Sequence, residues 1–359
     1  MTNLTGVVVG VGALGRHHAR ILSSMDGVSL RAVADSNQTA GEAVAAACGT
    51  RWVADFREVL SEVDFAVAAV PTFAHERVAT ELLQAGVDVF VEKPIALNST
   101  EATHLVELAA VRDRILQVGH IERFNPAFEA AASRLADAKY IRAERISPYS
   151  FRSTDISVVL DMMIHDIDLL LAVTGEFPSR VEALGACLLG DQPDLVQARL
   201  VFPGGCVADL VANRVSPTTV RSLQAWSSAG CTQIDFGTRQ ATCWSPTPTL
   251  LYGASPLERS RQPEANIEQL KGAIFGQYIQ QAELAVVPQD QLTAELQDFL
   301  HAVRTRQSPR VDGRQGLAAL QVAELISQSV EAHAWDGDLS GRVGPMVLRT
   351  NALPLRRAG

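Results

Sequence analysis

The sequence predicts a two-part chain: a doubly wound α/β half built on a parallel sheet, then an α+β half built on an antiparallel or mixed sheet. Three observations predict it. The 359 residues suffice for two domains at about 150 residues each. In the first third, short apolar runs alternate with helical patterns, as strands buried on both faces alternate with their crossovers. Beyond Val118 strands follow one another through turn residues such as Pro203-Gly204-Gly205 and Ser228-Ala229-Gly230, which reads as hairpins.

The elements of the first half follow in order. An apolar strand over 5–9 runs into Gly10-Val11-Gly12-Ala13-Leu14-Gly15 and a helix to about residue 25. A strand over 28–34 ends at Asp35, and a helix of small residues over 39–47 comes next. Strands over 51–54 and 65–70 precede a helix over about 74–85, closed by Gly86 as helices often are. A strand over 88–91 leads into Glu92-Lys93-Pro94. Asn98, with Glu101 three residues on, predicts a capping box for a helix to Arg112, and a strand over 115–118 closes the series.

In the second half, Pro126 is placed to open a helix over 125–135. A strand over 139–146 and a polar loop over 147–155 precede a long helix over about 157–173. Strands follow over 181–186, 194–202, 206–214, 220–226, 231–235, 240–244 and 280–287, with a loop over 245–263. Helices over about 292–305 and 316–331 end the domain, and 336–359 reads as an arm. The expected division is therefore 1–121, 122–335 and 336–359.

Composition bounds the function. With 47% hydrophobic and 20% charged residues, the chain can bury a sizeable core and is not of the disordered class. A net charge of −9 argues against nucleic acid or an anionic membrane as main partner. No apolar run approaches the roughly 20 residues of a spanning helix. The start, Met1-Thr2-Asn3-Leu4-Thr5, has no basic flank, so no signal peptide is expected. Five scattered cysteines without a Cys-x-x-Cys pair suit the cytoplasm and offer no metal framework.

Two constellations and one lysine carry chemistry. The glycine motif follows a strand, opens a helix, and has Asp35 twenty positions after Gly15, the context a dinucleotide fingerprint requires. Gly10 would allow the tight turn, Gly12 the approach of a pyrophosphate, and Gly15 close packing of helix on strand. Asp35 would accept the ribose hydroxyls and repel a 2′-phosphate, which predicts NAD over NADP. Lys93 is one of three lysines among 31 basic residues, kept where a strand runs out into a turn. Lysine offers a compact cation able to release a proton, which arginine does not; the plain alternative is a surface lysine. On the long helix, Asp161 and His165 are four apart and share a face. A carboxylate beside an imidazole fixes its tautomer and raises its basicity, as a general base needs. A helix-supporting pair and a metal site remain alternatives.

Gly10 to Gly15 followed by His17-His18-Ala19-Arg20, Glu92-Lys93-Pro94, Asp161 with His165, Pro71 with His75, and the run from Pro309 to Gly316 together resemble the Gfo/Idh/MocA family. The family consists of NAD(P)-dependent oxidoreductases of sugars and cyclitols. The resemblance covers nearly the whole chain and implies a Rossmann domain followed by an α+β domain with a large, open, predominantly antiparallel sheet. It implies catalytic roles for Lys93, Asp161 and His165, with a Lys93–Pro94 linkage that can be cis. Cofactor contacts fall on Gly10, Gly12, Ala13, Leu14, Gly15, Asp35, Val70, Pro71, His75, Glu92 and Lys93. Substrate contacts fall on His120, Arg123, Asn125 and Arg152, although Asn125 also reads as a helix cap and the arginines as solvated. The run from Gly119 to Pro126, with that from Asp161 to Leu169, looks most like the branch that oxidises the 3-hydroxyl of UDP-N-acetylglucosamine; a cyclitol or free-sugar dehydrogenase is the alternative. From another class, a catalytically silent NAD-binding subunit is disfavoured by the presence of Lys93, Asp161 and His165 together. A homodimer or homotetramer through the second sheet is also implied.

Overall fold

The structure is a computed structural model and describes residues 3–151, 156–189 and 192–333. Arg152 and the arm expected over 336–359 lie outside the described residues. The chain divides into two compact units, the first formed by Met1–Phe124 with Gln289–Leu325.

The first unit holds six strands: β1 (Leu4–Val9), β2 (Val28–Ala34), β3 (Arg51–Val53), β4 (Phe65–Ala68), β5 (Asp88–Glu92) and β6 (Leu116–Gly119). Every neighbouring pair is parallel, in the order β3-β2-β1-β4-β5-β6. All residues of β4, β5 and β6 are buried; β4 is apolar throughout, as a strand covered on both faces tends to be, while β5 and β6 also bury Asp88, Glu92 and Gln117. The crossovers are α1 (Gly15–Ser23), α2 (Gln38–Cys48), α3 (His75–Gln84) and α4 (Ser99–Val111). Asn98 caps α4 as predicted, its side chain accepting from the Glu101 amide at 3.0 Å. Glu101 reaches back one residue further than a capping box does, to the Leu97 amide at 3.2 Å. The strand expected to reach residue 70 stops at Ala68, leaving Val70 and Pro71 in the connection to α3. A 3₁₀ turn over Phe56–Glu62, started by a capping box of Asp55 and Glu58, has no counterpart in the periodicity.

The second unit takes in Asn125–Pro288 and the chain from Ile326. It starts with α5 (Pro126–Leu135), β7 (Tyr140–Ile146), a π turn (Val159–Met163) and α6 (Ile164–Thr174). Then come β8 (Arg180–Ala186), β9 (Leu195–Val201), β10 (Val207–Asn213), β11 (Val220–Ser227), β12 (Gly230–Asp235) and β13 (Gln240–Pro246). Three short helices, α7 (Pro248–Tyr252), α8 (Pro256–Ser260) and α9 (Ile267–Ala273), lead to β14 (Ile279–Glu283). The eight strands make one sheet, β14-β13-β12-β11-β7-β10-β9-β8; the β7–β10 pairing is parallel and the rest are antiparallel. In β10 alternate residues Ala208, Leu210 and Ala212 are buried, the period-two signature of a sheet packed on one face.

The stretch 245–263, expected as loop, contains α7 and α8. Each has Pro in its first turn and a hydroxyl cap, Thr247 and Ser255. Such residues punctuate loops but also start helices, and these helices bury no residue, so no apolar period betrays them.

Two helices close the described chain, α10 (Gln291–Thr305) and α11 (Gly313–Ala332). The linear division at 121 and 122 set both in the second domain, yet α10 and α11 up to Leu325 group with the parallel sheet. The cause is packing: Leu296, Phe299, Leu300 and Val303 join Leu22, Phe65 and Phe90 in one buried cluster. The Phe299 ring lies 5.8 Å from those of both Phe65 and Phe90, edge-on, the favoured arrangement of aromatic pairs.

Candidate active site

Ligands of doubly wound sheets lie beyond the carboxyl ends of the strands, where the crossovers diverge. In the first unit that point falls between β1 and β4, from which the strand order runs outward in both directions. The glycine loop leaves β1, Asp35 leaves β2, Val70 and Pro71 follow β4, Lys93 follows β5 and His120 follows β6. Predicted residues spread over 110 positions of sequence thus share one edge of one sheet.

The three glycines separate by cause. Gly10 has φ of +86°, and a Cβ there would lie 2.7 Å from the Ala69 carbonyl oxygen. A Cβ on Gly15 would lie 1.8 Å from the Gly10 carbonyl oxygen, so glycine is what lets α1 close onto the loop. A Cβ on Gly12 would meet nothing within 4 Å. Among the described residues no neighbour demands glycine at position 12, and the open space there leaves room for a diphosphate to approach. Leu14, 47% exposed, stands beside Ala13 at the start of α1, where backbone amides face outward. Asp35 accepts from the Val11 amide through Oδ2 and from the Asn37 amide through Oδ1, each at 2.8 Å. It therefore fixes the glycine loop, and each oxygen keeps a lone pair for a ribose hydroxyl. The cradle fits a dinucleotide.

Lys93 is half-buried and sits between two anchored residues. The peptide bond to Pro94 is cis, and His75, 1% exposed, spans the Pro94 carbonyl oxygen at 2.8 Å and the Val70 carbonyl oxygen at 2.9 Å. Burial lowers the His75 pKa below its usual value, against the pull of those carbonyls. On the other side Glu92 Oε1 lies 2.7 Å from His18 Nε2, with His18 fully buried. Burial pushes the Glu92 carboxyl up, but the His18 hydrogen bond and the charges of His18, Lys93 and His75 bring it below the usual carboxylate range. His18 is the residue that motif reading named without a role; its position facing inward on an otherwise apolar helix face was the available clue.

The predicted substrate residues divide. His120 is buried, and its carbonyl accepts from the Arg123 amide at 3.0 Å. Arg123 and Arg310 each donate to the other's carbonyl oxygen, at 3.4 and 3.1 Å, and the Arg310 guanidinium lies 4.6 Å from the centre of the Phe124 ring. Asn125 is fully buried and caps α5, accepting from the Ala127 amide at 3.0 Å. Arg152 is outside the described residues.

In the second unit, Asp161 lies within the π turn and His165 is the second residue of α6; both are partly exposed. The predicted continuous helix thus starts with an over-wide turn, in which the Ile164 amide reaches the Val159 carbonyl five residues back. Such turns are frequent at functional sites. The next residue, Asp166, forms a buried two-point ion pair with Arg145 of β7 at 2.9 and 3.2 Å, which fixes the start of α6 on the sheet.

Comparison with known proteins agrees with this geometry. Residues 4–120 match the profile described as the Oxidoreductase family, NAD-binding Rossmann fold, and residues 134–231 match the GFO/IDH/MocA C-terminal domain. The chain is 31% identical over 333 residues to the UDP-N-acetylglucosamine 3-dehydrogenase of Acidithiobacillus ferrooxidans, covering 92% of this chain and 99% of that protein. A solved structure of that enzyme superposes with a TM-score of 0.80 at 30% identity over the same shares of the two chains. The scyllo-inositol 2-dehydrogenase (NAD(+)) of Bacillus subtilis is 30% identical over 230 residues, 58% of this chain and 67% of that protein. Among the described residues no helix is long and apolar enough to cross a membrane. With a cradle that fits the dinucleotide and a relative aligned from end to end, the chain belongs to the Gfo/Idh/MocA oxidoreductases, and its parallel-sheet unit is their NAD-binding domain.

Proposed function

We propose that the chain oxidises the 3-hydroxyl of a UDP-linked amino sugar to a ketone. The carrying observation is coverage: the UDP-N-acetylglucosamine 3-dehydrogenase aligns over 92% of this chain, whereas the inositol dehydrogenases align over 58% or less at comparable identity or over 34% at 38% identity. NAD, when bound, supplies the hydride acceptor. Lys93 donates a hydrogen bond to the substrate oxygen and stabilises alkoxide character there. His165 takes the hydroxyl proton through a ring nitrogen, and Asp161 orients the imidazole. His120, Arg123, Asn125 and Arg152 are assigned to the substrate, with Arg123 or Arg152 meeting its diphosphate. The second reading, a cyclitol as substrate, is supported by the repeated matches to inositol dehydrogenases. The partly exposed face of the second sheet is the proposed contact between subunits of a homo-oligomer, and the cytoplasm the proposed site of action.

The test is a panel. The enzyme and NAD are incubated with UDP-N-acetylglucosamine, other nucleotide sugars, myo-inositol and scyllo-inositol, and NADH is read by absorbance. Turnover of UDP-N-acetylglucosamine supports the first reading; turnover of inositols without UDP-sugars replaces it with the second. Lys93→Arg should lower turnover about 100-fold, because the bulkier fork misplaces the donor. Near-parental turnover in that variant would remove the special role of lysine.

A further inference from the structure

We propose that His18 is a positioning residue for Lys93, acting through Glu92. The proposal rests on the reading that Lys93 holds the substrate oxygen. Glu92 is the last residue of β5 and the immediate neighbour of Lys93. Its Oε1 is gripped by His18 Nε2 at 2.7 Å, and His18 comes from α1, the helix that follows the glycine loop. The bond therefore ties the cofactor helix to the strand end that presents the lysine.

A plain packing contact between α1 and β5 would not use these residues. Burying two ionisable groups is expensive, and apolar side chains of similar volume fill such a place at lower cost. The surroundings are already apolar: the Phe90 ring stands 5.3 Å from the His18 imidazole, and Ala19, Ile21 and Leu22 of α1 are buried beside it. Space is also reserved for the carboxylate. Glu92 pairs with Gly119 across β5 and β6, and a Cβ on Gly119 would lie 2.9 Å from Glu92 Oε2.

The groups acting on the Glu92 carboxylate are His18 from α1, His75 from α3 and Lys93 itself. With the carboxylate ionised, His18 Nε2 carries the proton it donates. Lys93 is then bracketed: Glu92 before it is held by His18, and the Pro94 carbonyl after it is held by His75. Loosening the first bracket leaves the lysine in place but imprecisely aimed.

The test uses Glu92→Gln, His18→Asn, the double variant and Lys93→Met, assayed with NAD and the substrate selected by the panel. Glu92→Gln and His18→Asn should each lower kcat about 10–100-fold, the loss expected of a misplacement near 1 Å. Affinity for NAD, measured by fluorescence titration without substrate, should stay within about threefold in His18→Asn, which removes no expected cofactor contact. The double variant should fall within about threefold of the worse single variant, because residues acting as one unit are not additive. Parental kcat in both single variants overturns the proposal. So does a double loss equal to the product of the single losses, or a kcat loss in His18→Asn that follows lost NAD affinity or a lowered melting temperature. If His18→Asn does not fold, His18→Gln takes its place and is judged by its kcat against its NAD affinity. Lys93→Met separates the two ideas: retained turnover there removes the lysine's role altogether, whereas abolished turnover beside parental Glu92→Gln and His18→Asn removes only the positioning role.

Discussion

Gly12→Ala separates a ligand-imposed glycine from fold-imposed ones. A Cβ at position 12 would meet no atom within 4 Å, so the folded apo protein has nothing to lose by steric clash. Its stability should change by no more than about 0.5 kcal/mol, or rise slightly as the unfolded chain loses freedom. The methyl group would occupy the approach of the diphosphate. Losing one charge-assisted hydrogen bond costs about 1.5–3 kcal/mol, which at 1.4 kcal/mol per decade is roughly a 10–100-fold rise in the Kd for NAD. Gly15→Ala should behave in the opposite way. Its Cβ would fall 1.8 Å from the Gly10 oxygen, so the variant should lose about 1–3 kcal/mol of stability through overpacking. The assays are thermal melts without ligand and calorimetric titration with NAD. Parental NAD affinity in Gly12→Ala would refute the cradle, and a destabilised apo Gly12→Ala would refute the assignment of causes.

Three further outcomes follow. The parent should use NAD with higher kcat/KM than NADP, and Asp35→Ser should shift that ratio toward NADP while costing about 1–2 kcal/mol through the lost Val11 and Asn37 caps; a parental ratio above one for NADP over NAD refutes the charge argument. Burial lowers the His75 pKa below its ordinary 6.5, so below that pH the unfolded chain binds a proton that the folded chain does not, and stability should fall as pH drops. Melts between pH 8 and about 5 check this, with a flatter profile expected for His75→Gln and an unchanged one refuting the cause. Phe299→Ala should lower stability by about 3–5 kcal/mol through the cluster with Phe65 and Phe90, read by denaturant melts; a loss below about 1 kcal/mol would mean that α10 packs elsewhere.

Legibility in the sequence followed locality. The cradle was legible because strand, glycine turn, helix and acid are close in sequence and each spacing has one geometric meaning. The position of Lys93 just past a strand end was legible from the apolar run before it. The role of His18 was not, because its partner Glu92 is 74 residues away and only parallel pairing brings α1 and β5 to the same place. The grouping of α10 with the first unit was hidden for the same reason: an amphipathic helix shows that it has a buried face, not which sheet buries it. The π turn holding Asp161 was hidden because one over-wide turn leaves the apolar period almost unchanged.

The chain's use of arginine gives the retained lysine its meaning. Where two-point contacts are made, arginine makes them: Arg145 with Asp166, Arg199 with Asp209 at 2.7 and 2.8 Å, and Arg57 with Glu81 at 2.6 and 2.7 Å. Two of the lysines are surface residues in single-point pairs close in sequence. Lys139 reaches Asp137 at 2.7 Å with 64% of its side chain exposed, and Lys271 reaches Glu268 at 2.8 Å with 68% exposed. Pairs so exposed add little to stability, and arginine would serve at either place. Lys93 differs from both in being half-buried on the ligand edge of the sheet, with a histidine-held residue on each side. A fixed backbone with a compact cation at its tip is what aiming one hydrogen bond at one oxygen requires, and a planar fork on the same backbone would aim two donors to either side of it.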